Sequence, residues 1–259
     1  MKYVSNKKIG DSWKQPIQFV ENTKRIFQKE SGPCGFLSVL QAYIILNYKK
    51  DKNKTNEDLL IESTLDIMKK IRNIFAFCQI FDEDHKEIMI YSTNDETEAR
   101  QFLEDSGFFD NSNSILLFLV SLAYIAGPAL LSSYAFQEGF IANNGQTSIQ
   151  LVLLMLTGLP ADSVSDVHTV QGGMLISGVL LPQDIGLLVV DEEESLSKVG
   201  YPLLSPQEKI WIIYYGGHFT TIAILNDCFC EYNNIIGSAE EYSICNSNHI
   251  LFSVLTELV

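Results

Sequence analysis

Gln28-Lys-Glu-Ser-Gly-Pro-Cys34-Gly-Phe36 runs straight into Leu37-Ser-Val-Leu-Gln-Ala-Tyr-Ile-Ile-Leu-Asn-Tyr48, and this junction of a polar loop with an apolar run decides the fold. From Phe36 to Tyr48 the side chains are almost wholly apolar, which predicts a buried helix. Pro33 suits the first helical position, where its missing N–H would be unpaired anyway. Cys34 then lies in the first turn, where the unpaired N–H groups and the positive end of the helix dipole favour a thiolate and lower its pKa. Gln28, six residues upstream, carries an amide able to donate to an oxyanion. A thiol nucleophile and an oxyanion donor in one segment are what a cysteine protease needs. The alternative reading of Cys34 is a small buried hydrophobe.

A thiol nucleophile needs a base, and that base is almost always histidine. His85 stands in the acidic stretch Asp82-Glu-Asp-His-Lys-Glu87 and reads as an exposed turn residue. His168 sits in a polar loop, and His249 near the C-terminus has no distinctive context. His218 differs, because it follows Tyr214-Tyr-Gly-Gly217 and opens the apolar run Phe219-Thr-Thr-Ile-Ala-Ile-Leu225. Two glycines allow close approach just before a rigid strand presents the imidazole. A third group should orient that ring. Asn233 lies past the next turn, with Asn226, Asp227 and Asn234 as competitors, all of them also ordinary turn formers.

Composition limits the function classes. The chain has 259 residues, 46% of them hydrophobic and 19% charged, which describes a folded protein with a proper core. A net charge of −14 argues against nucleic-acid binding, which needs basic surface, and favours basic partners. Five irregularly spaced cysteines fit reduced thiols better than a disulfide framework, and Met1–Lys8 lacks an apolar signal core; the expected compartment is the cytosol. Ile115–Phe136 is 22 residues without a charge, long enough to span a bilayer. Gly127-Pro128 interrupts it and no Lys or Arg flanks it, so it reads as buried helix and no membrane partner is expected. Cys228-Phe-Cys230 lacks a second Cys/His pair, so no metal is expected, and no phosphate loop or other cofactor motif is present.

No internal repeat or low-complexity linker divides the chain, so residues 1–259 read as one unit. Its part from about 30 to 160 is helical, with apolar spacing predicting helices over Glu57–Ile74 and Glu96–Ser106, and one capped by Thr147 or Ser148 and closed by Gly158. Short strands are expected around Ile74–Phe81 and Ile88–Tyr91, and a long loop over Asp162–Gly173. From about 175 to 259 the chain turns strand-rich, with Ile185–Val190, Ile210–Tyr215, Phe219–Leu225 and Cys228–Tyr232 as β-branched or aromatic runs. Helices first and strands last predict an α+β fold, in the order of papain-like enzymes, with the nucleophile helix packed on an antiparallel sheet that carries the base.

These motifs taken together resemble the MINDY deubiquitinases. Trp13, Gln15 and Phe19 resemble the opening segment of that family, and Gln28–Gln41 resembles its Gln-x5-Cys block. Leu151-Val-Leu-Leu-Met-Leu-Thr-Gly158 with Asp166 resembles a further family stretch. So does Val199-Gly-Tyr-Pro-Leu-Leu-Ser-Pro206, followed by Ile210-Trp-Ile-Ile213 and His218-Phe-Thr. The matches come in family order from about residue 10 to 236. Ser31 departs from a usual glycine, and Asn233 from a usual aspartate.

The resemblance implies a papain-like fold and hydrolysis of the isopeptide bond at ubiquitin's terminal glycine. It points to polyubiquitin of the proteasome-targeting linkage. Cys34 would be the nucleophile, His218 the base, Gln28 the oxyanion donor and Asn233 the group orienting the imidazole. Apart from the resemblance, Gly216 and Gly217 are expected to border the channel for ubiquitin's Gly-Gly tail, with Trp211 as a further substrate contact. The protein is expected to be a monomer that needs no cofactor. A ubiquitin-binding pseudoenzyme or another papain-like thiol peptidase or acyltransferase are the competing readings, separable by reaction with a ubiquitin C-terminal electrophile.

Overall fold

The computed structural model describes residue 4 and residues 8–82, 87–134, 139–159, 161–190, 199–225, 228–232 and 242–243. His85, His249, Asn233 and its three competitors lie outside the described residues. A 3-10 turn at Asp11–Trp13 leads into a small hairpin of β1 (Gln18–Phe19) and β2 (Ile26–Phe27). Then comes α1 (Cys34–Lys50), buried from Cys34 through Asn47 as its composition predicts. The helix begins one residue later than expected, with Pro33 as its N-cap. In α2 (Asn56–Ile71), Thr55 and Asp58 form a reciprocal capping box.

The hairpin β3 (Phe75–Asp82) and β4 (Glu87–Thr93) follows, then α3 (Glu96–Ser106), ended by Gly107 in the left-handed conformation. The uncharged segment forms α4 (Ser114–Leu131), broken at Gly127 (φ 71°, ψ 164°) just before Pro128. By length and composition α4 could cross a membrane, yet 67% of it is buried inside the protein, where it packs on β3 and α2. α5 (Ile149–Thr157) starts at Ser148, whose hydroxyl accepts from the Leu151 N–H, and stops at Gly158 (φ 70°).

Asp162–Gly173 is not simply a loop. Thr169–Gln171 and Met174–Ile176 pair as β5 and β6 around Gly172 (φ 59°) and Gly173 (φ 82°). Two successive positive φ values are what a tight two-residue hairpin needs, and a Gly-Gly pair supplies them without steric cost.

The last part forms a sheet from β7 (Gly186–Val189), β8 (Ile210–Tyr215), β9 (His218–Leu225), β10 (Cys228–Tyr232) and β11 (Tyr242–Ser243), with α6 (Tyr201–Leu204) between β7 and β8. The strand order is β11-β10-β9-β8-β7, and every neighbouring pair is antiparallel except β7 with β8. The architecture is therefore mixed α and β. α1 lies on β9 and β8, and two buried hydrogen bonds fix its position along β9. Ser38 Oγ donates to the Phe219 carbonyl at 3.0 Å, and Thr221 Oγ1 donates to the Ser38 carbonyl at 2.8 Å. Alternation along β8 sends Ile210 and Ile212 into the main core beneath α1, while Trp211 and Ile213 face a second cluster with Leu188, Val190 and Ile222.

Candidate active site

Cys34 opens α1 and His218 opens β9, so the α1–β9 packing brings the two residues together. His218 follows a two-residue turn, Gly216 (φ 57°) and Gly217 (φ 80°), in which Tyr215 pairs with His218. Gln28, Cys34, Gly217 and His218 line one cavity of about 170 Å³, together with Glu30, Ser31, Gly32 and Gln146. Four of the expected site residues, Gln28, Cys34, Gly217 and His218, thus line one cavity. Cys34 is only 3% exposed, and Gln28 only 4%.

The thiol's environment corrects one expectation. Burial pushes the Cys34 thiol above its ordinary value, while hydrogen bonds from the backbone N–H groups of Phe219, Gly35 and Cys34 itself pull it partway back. Desolvation is the largest influence on the thiol and outweighs the backbone donors at the helix start. The sign is directly testable. A raised pKa means the thiolate fraction climbs about tenfold per pH unit through neutrality. The rate of Cys34 alkylation by iodoacetamide is expected to keep rising beyond the ordinary thiol range. A plateau near neutral pH would show a thiolate–imidazolium pair already formed in the resting protein, and would refute the expectation.

The loop carrying Gln28 is held by two residues distant in sequence, Gln15 and Thr147, while Trp13 ties down the adjoining Gly145 turn. Gln15 Oε1 accepts from the Lys29 N–H at 2.8 Å, and its amide donates to the carbonyls of Ser12 and Glu30. Trp13 Nε1 donates to the Gly145 carbonyl at 2.8 Å. The Thr147 N–H and Oγ1 both reach the Gly32 carbonyl, at 2.9 and 3.0 Å. Gly32 sits at φ 129°, and a Cβ there would lie 2.9 Å from Ser12 Oγ and 3.2 Å from the Gly145 carbonyl oxygen. Only glycine fits that turn of the chain. Gly35, next to the cysteine, is equally confined, since a Cβ would meet Thr147 and Phe219 at 2.9–3.0 Å.

Gln28 Nε2 donates one of its hydrogens to the Glu30 carbonyl at 2.8 Å. An amide nitrogen has two hydrogens, so one remains for a developing oxyanion. Its Oε1 is buried without a hydrogen-bond partner among the described residues.

Two expected substrate contacts are placed elsewhere. Trp211 is buried on the far face of the sheet, where its Nε1 donates to the Leu204 carbonyl at 3.0 Å. Strand alternation puts it opposite the cavity, and it does not reach the site. Gly216 forms the outer half of the turn with open space around it, so its glycine character answers to the backbone; Gly217 alone of the pair lines the cavity. His168 accepts from the Gly178 N–H through Nδ1 at 3.1 Å, in the β5–β6 region, away from the cavity. The sequence reading did not single out Gln146 or Glu30 for this site; Gln146 stands in an Asn-Asn-Gly-Gln turn with no chemical signature of its own.

The conserved domain described as "Deubiquitinating enzyme MINDY-3/4, conserved domain" matches residues 76–234, more than half of the chain. This stretch includes His218 and begins after Cys34. Ubiquitin carboxyl-terminal hydrolase MINDY-3 of Xenopus tropicalis is 23% identical over 80% of this chain and 58% of its own. The MINDY-3 homolog of Drosophila melanogaster is 26% identical over 54% of this chain and 26% of its own. A probable ubiquitin carboxyl-terminal hydrolase MINDY-4 of Mus musculus is 23% identical over 81% of this chain and 33% of its own. The chain therefore spans between a quarter and three-fifths of the length of these relatives. No solved structure matches it. With a cysteine at a helix start and a histidine at a strand start lining one cavity, and a family domain across more than half of its length, the chain belongs to the MINDY-3/4 family of deubiquitinating enzymes.

Proposed function

We propose that this chain is a cysteine-type deubiquitinase that hydrolyses the isopeptide bond at ubiquitin's C-terminal glycine. The observation that carries the reading is the shared cavity of Cys34, His218 and Gln28. In the proposed reaction His218 takes the Cys34 proton, and the thiolate attacks the carbonyl carbon of ubiquitin's terminal glycine. The remaining Gln28 N–H and the Cys34 backbone N–H hold the oxyanion, each donor contributing about 2.7–4 kcal/mol. His218 then gives its proton to the departing lysine amine, leaving a thioester on Cys34. A water loses a proton to His218 and attacks the thioester. The carboxylate of ubiquitin departs and the thiol recovers its proton.

The arrangement of α1 against the later sheet supports a papain-like assignment. The cavity's small volume, about 170 Å³, favours a side-chain-free main chain such as Gly-Gly over a bulky residue. We further assign the proteasome-targeting polyubiquitin linkage as substrate, a monomeric state, the cytosol as compartment and Asn233 as the group orienting His218.

The test is incubation with a ubiquitin C-terminal electrophile, and with tetraubiquitin of the proteasome-targeting and the extended signalling linkages. Expected are an adduct lost in Cys34→Ala and cleavage of the first linkage alone. Cleavage of both would overturn the linkage assignment. Binding of chains without adduct or cleavage would make the protein a ubiquitin reader instead.

A further inference from the structure

Gln146 lines the Cys34 cavity beside Gly217, and its local hydrogen bonds decide which end of its amide is turned toward that glycine. The Gln146 backbone N–H donates to Asn144 Oδ1 at 3.0 Å. A backbone N–H is always a donor, so the Asn144 atom it meets is the oxygen, and the other end of that amide is Nδ2. Asn144 Nδ2 in turn donates to the Gln146 side chain at 3.0 Å, which makes the accepting atom Oε1. Gln146 Nε2 is thereby turned the other way. It lies toward Gly217, where a Cβ would sit 4.0 Å from it.

The loop holding this amide is closed by its own hydrogen bonds and tied to the rest of the site. Residues 142–146 close between the bridged pair Ile141 and Thr147, with the Ala142 N–H on the Gln146 carbonyl at 2.9 Å. Trp13 and Thr147 tie the same loop to the segment before Cys34. Gln146 also lines a larger neighbouring cavity of about 500 Å³, whose walls include Val164, Val189, Tyr214 and Phe219. It therefore stands where an extended chain would leave the larger cavity and enter the small one.

We infer that Gln146 is a substrate-binding residue whose Nε2 donates to a main-chain carbonyl of the glycine pair that threads the cavity toward Cys34. This rests on the proposed hydrolysis at a Gly-Gly terminus and deepens it. A lone donor aimed at a narrow channel recognises what every extended peptide offers, a carbonyl, and Gly217 leaves the room for it. The oxyanion is served by Gln28 and the helix start, so Gln146 acts on binding of the tail and not on the chemistry of the thiol.

The experiment compares labelling of Cys34 by three reagents in the wild type, Gln146→Ala and Gln146→Glu. They are a ubiquitin C-terminal electrophile, an acetyl-Gly-Gly electrophile and iodoacetamide, which has no peptide main chain. Gln146→Glu keeps the acceptor for Asn144 and the shape of the side chain, but replaces the donor with an acceptor. Expected is a loss of about tenfold with both tail electrophiles in Gln146→Ala, the size of one hydrogen bond, and a larger loss in Gln146→Glu. Iodoacetamide rates should stay unchanged. Unchanged tail labelling, or iodoacetamide rates falling in parallel, overturns the inference, the second outcome showing a structural role. Wild-type labelling by the Gly-Gly reagent and not by the ubiquitin reagent refutes the deubiquitinase reading alone, and the Gly-Gly rates still decide Gln146. Labelling by neither tail reagent refutes both.

Discussion

Cys34→Ala is expected to lower hydrolysis of a fluorogenic ubiquitin C-terminal amide by at least about four orders of magnitude, with the fold intact. The substitution removes the proposed attacking atom and leaves no nucleophile in its place. What survives is the contribution of the oxyanion donors and of tail binding. Stability should change little, because a buried thiol packs as a small hydrophobe and its loss leaves a void of one atom. The expected stability change is about 1 kcal/mol or less, read from urea denaturation beside the wild type. Cys78 does not substitute for it. That thiol is fully buried on β3, which packs against α4, and burial pushes it up to about 11. Activity within tenfold of wild type would remove Cys34 from the mechanism, whatever the geometry around it.

Gln28→Ala is expected to reduce kcat by about 10²–10³-fold with KM little changed, since an oxyanion donor acts in the transition state alone. Gln28→Glu should be worse. Gln28 Nε2 faces the Glu30 carbonyl, and a carboxylate there would repel both that carbonyl and the oxyanion. The loop should survive both changes, because it is held by Gln15 and Thr147 and only once by Gln28 itself. Iodoacetamide alkylation of Cys34 separates the cases. Rates equal to wild type, with kcat reduced, identify a donor to the transition state. Parallel loss of alkylation and turnover would identify a disordered loop and remove Gln28 from the oxyanion site.

Two features of the site were legible because their causes are local. A proline and cysteine before an apolar run place a thiol at a helix start, and α1 begins at Cys34. A Gly-Gly pair between two β-branched runs is a hairpin turn, so His218 had to open a strand. The same signal marks Gly172-Gly173, where the expectation of a loop overlooked β5 and β6 because the flanking strands have only three residues each. The thiol pKa shows the limit. A helix start lowers it, a property of sequence neighbours, but burial raises it, and burial comes from β9 packing on α1 some 180 residues away in sequence.

The sequence by itself determined the buried helix opened by Cys34, the strand-borne histidine and the order of helices before sheet, since each follows from patterning within a few residues. Only the tertiary structure decided which residues share the cavity. Period-2 alternation marks Trp211 and Ile212 as facing opposite sides of β8 but cannot say which side holds the site, and the packing of α1 on β8 and β9 settles it. Gln146 reaches the site through bonds spanning 132 residues from Trp13 to Gly145 and 115 from Gly32 to Thr147. An amide in a surface turn has no sequence signature. Its place in the site is a property of long-range contacts, and these exist only once the chain has folded.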